Sequence, residues 1–196
     1  MSERRARARR QTAETEVEVE LSLDGGPVAV DTGVPFFDHM IEQLGRHGRL
    51  GLSAHAKGDL EVDAHHTVED VGIVLGRALS DALDDRRGIR RYGDALVPMD
   101  EALVQVALDV SGRAHLAYDV ALPPWRLGAY DTTLTPEFLR ALCRGAGLTL
   151  HVRLLAGSDP HHCTEAVYKA VARALFEAVS RDPGGPGEVP STKGVL

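Results

Sequence analysis

Long apolar runs are missing from this 196-residue chain. Nothing approaches the roughly 18 consecutive apolar residues that a spanning helix needs, which excludes a helical membrane protein. Cysteine is scarce as well. Cys143 and Cys163 are the only two and no CxxC spacing occurs, which excludes a disulfide framework and a cysteine-ligated zinc module. Net positive charge is also lacking: 29 acidic against 22 basic residues give −7, a poor match for a nucleic-acid partner. The one basic run, Arg4 to Arg10, is short and has no apolar segment behind it, so it is not a signal peptide. It reads as a solvated, disordered tail over residues 1–11, and the chain as a cytoplasmic protein with no membrane partner. What remains, 43% hydrophobic and 26% charged, is ordinary globular composition, enough for one domain or two small halves.

Histidine is what the chain does have. There are nine, and two His-His pairs are each followed by a glutamate at the same distance. Set residues 51–79 against residues 147–175 at a constant offset of 96, and 11 of 29 positions are identical. The matches include Gly51/Gly147, His55/His151, Asp63/Asp159, His65/His161, His66/His162 and Glu69/Glu165. This is the mark of a tandem duplication, and it precedes any fold assignment.

Each half shows the same order of elements. Residues 15–23 alternate polar positions with Val17, Val19, Leu21 and Leu23, and Asp24-Gly25-Gly26 turns the chain into a second strand through Val30. In the second half Val104, Val106, Leu108 and Val110 alternate, Ser111-Gly112 turns, and residues 114–121 return. Both read as hairpins. A short helix near residues 38–46, a strand at residues 50–56 and a long helix carrying Val68, Val71, Leu75, Leu79 and Ala82 complete the first half. The second half repeats them: a helix from Thr135-Pro136, a strand at residues 148–155, and a last helix opened by Asp159-Pro160, a capping Asp with Pro at the first helical position. The expected architecture is α+β, a tandem ββαβα unit at residues 12–96 and 97–182, with antiparallel or mixed sheets covered by helices. Gly184 to Pro190 then reads as an extended lead-in within a C-terminal tail over residues 183–196.

On a helix, residues four apart lie about 40° apart in angle and adjacent residues about 100°. His65 and Glu69 therefore share a face while His66 points elsewhere, and the same holds for His161, Glu165 and His162. One helix can offer a His/Glu pair to one ion and its second histidine to another. Imidazole with carboxylate and no thiolate suits Mn, Fe or Zn. A lone His-His at a helix start would read as a solvated first turn. Two copies kept through a duplication while residues 58–62 diverge from residues 154–158 read as ligands. His55 and His151 face the sheet or a second layer in this reading.

Several stretches carry a resemblance: Phe36-Phe37-Asp38-His39-Met40, His65-His66-Thr67-Val68-Glu69-Asp70, Pro98-Met99-Asp100-Glu101-Ala102, Asp109-Val110-Ser111-Gly112-Arg113 and Ser191-Thr192-Lys193-Gly194-Val195-Leu196. From about Thr12 to Leu196 the chain resembles the imidazoleglycerol-phosphate dehydratase family. The resemblance implies a dehydratase of histidine biosynthesis with two manganese ions per site, held by His39, His65, His66, Glu69, His161, His162 and Glu165. It implies catalytic roles for Glu14, Glu69 and Lys169, and substrate contacts from Gln43, Arg91, Arg113, Ser191 and Lys193. It also implies a homo-oligomeric shell of 24 subunits with sites between chains. Glu16 is the alternative to Glu14, since the count through the Asp24-Gly25-Gly26 turn can take a one-residue gap.

The residue chemistry is compatible. A phosphorylated imidazole substrate calls for fixed cations and hydroxyl donors, which Arg91, Arg113, Ser191 and Lys193 provide. The hydrogen lost in such a dehydration is not acidified by a carbonyl, so activation falls to the imidazole ring, with a general base to take the proton. Two rivals share the ligands: a dinuclear hydrolase of a phosphate ester, and a non-enzymatic metal-binding shell. The chain departs from the family pattern at one place. Where the resemblance calls for a ligand histidine, the chain reads Thr135-Pro136-Glu137-Phe138, and a two-residue difference in the following turn aligns Glu137 with His39. Glu137 is either a substitute ligand or an acidic residue favoured in a first helical turn.

Overall fold

The computed structural model describes residues 3–183 and 187–196. Its elements are β1 (Arg5–Gln11), β2 (Thr15–Ser22), β3 (Val28–Asp31), α1 (Pro35–His47), β4 (Gly51–Gly58) and α2 (His65–Leu83), followed by β5 (Tyr92–Met99), β6 (Ala102–Asp109), β7 (His115–Asp119), two-residue strands β8 (Arg126–Leu127) and β9 (Tyr130–Asp131), α3 (Leu134–Ala146), β10 (Thr149–Ala156) and α4 (Pro160–Val179). The α+β duplication is present, with two mixed sheets in the same order, β1-β2-β4-β3 and β5-β6-β10-β7. In each, the last strand runs parallel to its neighbour and the other pairs are antiparallel.

The repeating unit has one strand more than expected, and the expected hairpins are not hairpins. Val28–Asp31 does not pair with β2, because β4 lies between them, and β10 likewise separates β7 from β6. The true hairpins are β1–β2 and β5–β6. Both rest on strands whose inward residues are small, Ala6 and Ala8 in one and Gly93, Ala95 and Val97 in the other. Residues 5–11 are therefore no disordered tail. Arg7 and Arg9 face outward onto a row of glutamates, with Arg7 Nη2 2.6 Å from Glu18 Oε1 and Arg9 paired with Glu16, while Arg10 turns inward to α2, its Nε 2.8 Å from Asp70 Oδ1. Cross-strand pairing of opposite charges stabilises such a ladder modestly. Met1 and Ser2 of that expected tail, and Gly184, Gly185 and Pro186 of the C-terminal lead-in, lie outside the described residues.

Helices of each unit cover one face of their own sheet and also meet a helix of the other unit, α1 against α4 and α2 against α3. The α2–α3 crossing is close because glycines permit it. A Cβ on Gly76 would stand 2.7 Å from the Leu142 carbonyl oxygen, and one on Gly72 2.8 Å from that of Phe138. The buried hydroxyls of Tyr130, Thr135 and Tyr168 are paired: Tyr130 Oη lies 2.9 Å from Thr135 Oγ1 and 3.1 Å from Tyr168 Oη. Both cysteines are buried thiols.

The structure also corrects the register of the repeat. Gly51 opposes Ser22 while Thr149 opposes Asp109, so β4 and β10 correspond at an offset of 98, whereas His65 and His161, each in the first turn of its helix, keep 96. A two-residue length difference sits in the following loop. His55 and His151 are thus not equivalent positions; both are exposed on the outer faces of their sheets. An offset of 98 also superposes α1 on α3: buried Met40, Ile41 and Leu44 match buried Phe138, Leu139 and Leu142. On that register His39 and Glu137 hold the same place.

Candidate metal centre

Helix α1 starts where Pro35 sets the first turn, and Asp38 fixes it by accepting from Thr32 N at 2.8 Å and Thr32 Oγ1 at 2.5 Å. That anchors His39 one residue later. Helix α4 starts at Pro160, capped as expected by Asp159, whose carboxylate accepts from the backbone N–H of His161 at 2.8 Å and of His162 at 3.1 Å. The α1–α4 contact then brings together side chains from both units. His39 Nε2 and His161 Nε2 lie 3.4 Å and 3.1 Å from Glu165 Oε2, and the ligand atoms of all three fall within 4.8 Å of one another.

Glu165 is buried, and burial alone would raise its pKa. The Lys169 ammonium, 2.8 Å from Oε1, outweighs that, and with His39 and His161 it holds the carboxyl below its ordinary value. The glutamate is therefore an anion at neutral pH, oriented by an inward lysine on one side and two imidazoles on the other. Gln43 Nε2 reaches His39 Nδ1 at 3.4 Å, and the edge of Phe36 packs against the His161 ring with centroids 5.1 Å apart. Two imidazole nitrogens and a carboxylate oxygen converging on one point fit a borderline or hard divalent cation.

The second histidine of each pair turns away, as the 100° step requires. His66 Nδ1 lies 3.0 Å from Asp59 Oδ2 and 3.8 Å from Glu14 Oε2. His162 Nδ1 lies 2.8 Å from Glu101 Oε2, and its Nε2 3.7 Å from Asp100 Oδ2. Glu14 immediately precedes β2 and Glu101 immediately precedes β6, so the same acidic position serves the same histidine in both units. Glu16, paired with Arg9 on the outer sheet face, is away from this group. Glu101 stands in the sequence reading only within a family-like stretch and without a role, although its position before a central strand repeats that of Glu14. Hydrogen bonds from His162 and from the backbone N–H groups of Asp159 and Ser158 draw its pKa down to about 2. Asp59, the other missed partner, sits where the two halves differ in length.

The remaining half-site is looser. His65 Nε2 is 4.0 Å from Glu69 Oε2, and Glu137 is not gathered with them among the described residues. Its carboxylate is held instead by Arg140 at 2.6 Å, one turn along α3.

The expected phosphate contacts gather at the other end of the second sheet. Arg91 pairs with Asp109 through Nε at 2.8 Å and Nη2 at 3.2 Å, and its Nη1 donates to the Pro190 carbonyl at 2.8 Å. The tail thus passes Arg91 and ends against Gly112, beside Arg113; a Cβ on Gly112 would stand 2.5 Å from the Leu196 carbonyl carbon. Ser191 and Lys193 lie in this tail, with Lys193 N donating to Ser191 Oγ at 3.2 Å. Strand β6 separates the two groups: Glu101 precedes it and Asp109 ends it, a span of roughly 23 Å at the usual strand rise.

The imidazoleglycerol-phosphate dehydratase family model matches residues 32–175. The chain is 56% identical to the imidazoleglycerol-phosphate dehydratase of Moorella thermoacetica over 194 residues, 98% of each chain. It is 55% identical to that of Symbiobacterium thermophilum over 197 residues, covering 100% of this chain and 94% of the other. Among solved structures it is similar to the imidazoleglycerol-phosphate dehydratase of Staphylococcus aureus, with a TM-score of 0.80 and 36% identity over 90% of this chain and 99% of that one. It is likewise similar to the Pyrococcus furiosus enzyme in complex with (S)-C348, with a TM-score of 0.83 and 34% identity over 96% and 99%.

Proposed function

The chain belongs to the imidazoleglycerol-phosphate dehydratase family and is a carbon–oxygen lyase of histidine biosynthesis, and we propose that it acts through two manganese ions in sites shared between chains. Family membership removes the hydrolase and storage-shell readings. The observation that carries the metal proposal is the convergence of His39, His161 and buried Glu165 within 4.8 Å. One ion would be held there; His65, Glu69 and Glu137 would hold the counterpart, with His66 and His162 as the ligands offered to neighbouring chains. Metal bound there would supply Lewis acidity that favours the deprotonated, imidazolate form of the substrate's ring, whose electrons expel the side-chain hydroxyl.

This chain's own residues do the rest. Lys169 keeps Glu165 anionic and in place. Glu14, exposed beside His66, is positioned to accept the carbon-bound proton as general base. Glu69 shares the acid/base work from the other half-site. Gln43 orients His39 and presents its amide to substrate. Arg91, Arg113, Ser191 and Lys193 receive the phosphate dianion through charge-assisted hydrogen bonds.

The 23 Å between the two groups in one chain exceeds the reach of a three-carbon phosphate ester. A metal end from one chain and a phosphate end from another would then complete each site, which supports a homo-oligomer, 24 subunits on the family resemblance. No helix among the described residues is long and apolar enough to cross a membrane, and a cytoplasmic location is proposed. Purified protein incubated with Mn and imidazoleglycerol phosphate should yield imidazole-acetol phosphate with phosphate retained, and activity should fall on chelation and return with Mn. Full turnover in rigorously metal-free protein would refute the metal proposal.

A further inference from the structure

The duplication should make the two interhelix seams alike, and they differ. The α2–α3 seam is shut by Gly72, Gly76 and Gly145. At the corresponding positions of the α1–α4 seam stand Tyr168, Ala172 and His47. Past Ala172 this seam parts into a cleft of about 620 Å³, within the size range of small-ligand sites.

The lining is cationic in a chain whose net charge is −7. Arg49 stands at the end of α1, Arg173 projects from α4, and Arg90 and Arg181 enter from the segments after α2 and α4. Asp94 and Glu177 are the acidic lining residues, and Glu177 is already engaged, with Arg90 Nη1 at 3.4 Å and the Asp94 backbone N–H at 3.2 Å. Arg49 lies over the Phe176 ring, 4.9 Å from its centroid. Neither Arg49 nor Arg173 has a carboxylate in salt-bridge reach among the described residues. Gathering guanidinium groups without counter-charge is repulsive. The α2–α3 seam does not do so: Gly147, Ser80 and Asp85 occupy the places of Arg49, Phe176 and Arg181, and Arg77 alone keeps the place of Arg173.

We propose that this cleft is a second anion site, binding a phosphate-bearing small molecule between Arg49 and Arg173. Its Arg49–Arg173 centre is distinct from both groups described above, and His47 on its wall adjoins the metal group through Gln43 at 3.1 Å. Arg173 is eight residues beyond Glu165, about 12 Å along the α4 axis. Arg91, although adjacent to Arg90, turns to Asp109 and Pro190 and does not line the cleft.

Calorimetric titration of inorganic phosphate into the assembled, Mn-loaded protein tests this, with glycerol phosphate titrated in parallel. Binding should persist in Arg113→Ala, whose lesion lies in the other phosphate group, and weaken about tenfold or more when Arg173→Gln is added to that variant, since each lost charge-assisted hydrogen bond is worth that much. Arg49→Ala, likewise added to Arg113→Ala, serves as a second variant, and unchanged assembly size and circular dichroism establish that each variant is folded. Tighter binding of glycerol phosphate points to a phosphorylated metabolite, equal binding to inorganic phosphate; either upholds the site. Loss of all binding in Arg113→Ala, or undiminished binding in both folded cleft variants, would overturn it.

Discussion

Glu137 and His39 hold the same place in the two units, and exchanging an imidazole for a carboxylate changes what each half-site does before an ion arrives. Around Glu165 the neighbours are two imidazoles and an ammonium, so the cluster draws itself together without metal. In the other half-site a second carboxylate would face Glu69, a repulsion of about 1 kcal/mol at 4 Å in water. Glu137 instead pairs with Arg140, which a divalent cation would have to displace. Glu137→Ala should therefore reduce bound Mn by about one ion per chain while Glu137→His retains both, since imidazole and carboxylate are both acceptable Mn ligands; full occupancy by elemental analysis of Glu137→Ala would strike it from the ligand set. The second histidines make a related prediction. His162 is raised above its ordinary 6.5, first by the hydrogen bond to Glu101 and against some desolvation, while Glu101 is lowered to about 2. Glu101's contribution is present above its usual 4.5 and lost as pH falls toward about 2; that of His162 is present below 6.5 and lost as pH rises through the raised value. In metal-free protein Glu101→Gln should move the His162 midpoint down toward 6.5, read by NMR titration. An unmoved midpoint would mean that Glu101 does not govern it.

At the scale of elements, what could be read from sequence depended on whether the signal was local. The Asp159-Pro160 start of α4 and the alternation in β2 and β6 are local and were legible, as were the two His-His-x-x-Glu motifs at the starts of α2 and α4. Strand β1 was not, because Arg-Ala-Arg-Ala-Arg-Arg-Gln offers only alanines to the core and its partners are the outward glutamates of β2. Strand β5 hid behind Gly93, Asp94 and Pro98, residues that read as turn formers. Sheet order escaped for another reason: β4 and β10 insert between strands adjacent in sequence, a pairing that only long-range contacts decide. If β1 is an integral edge strand, deleting residues 3–11 should lower the melting temperature clearly, since it strips Val17 and Val19 of a neighbour and leaves the largely buried Asp70 without Arg10. A silent deletion would restore the reading as a tail. The α2–α3 crossing gives the converse test. Gly→Ala inside a helix ordinarily stabilises by about 1 kcal/mol. Gly76→Ala should instead destabilise by about 1–3 kcal/mol, because its methyl meets the Leu142 carbonyl and the Gly145 Cα across the seam. Chemical denaturation of the two proteins decides the sign.

For the whole molecule, the chain brings its metal-binding and phosphate-binding groups to opposite ends of β6, and this polarity has a consequence that point variants alone do not expose. Lys169 lies against Met99 at one end of the second sheet, Arg91 against Asp109 at the other, and rigid strands leave no motion that could bring them together. A site completed by two chains can be rebuilt from two defective ones. Glu165→Ala should abolish turnover by emptying the metal end, and Arg113→Ala should depress it by weakening the phosphate end, each acting alone. When the two variants are co-expressed with different tags and the mixed assembly is purified through both, some sites take their metal end from the Arg113→Ala chain and their phosphate end from the Glu165→Ala chain. Those sites are intact. With equal amounts and random placement, about one site in four is of this kind, so the mixed assembly should recover roughly a quarter of wild-type activity. Sites confined to single chains would give no such recovery, because every chain in the mixture carries a lesion; activity no higher than the mean of the two parents would therefore sink the shared-site arrangement.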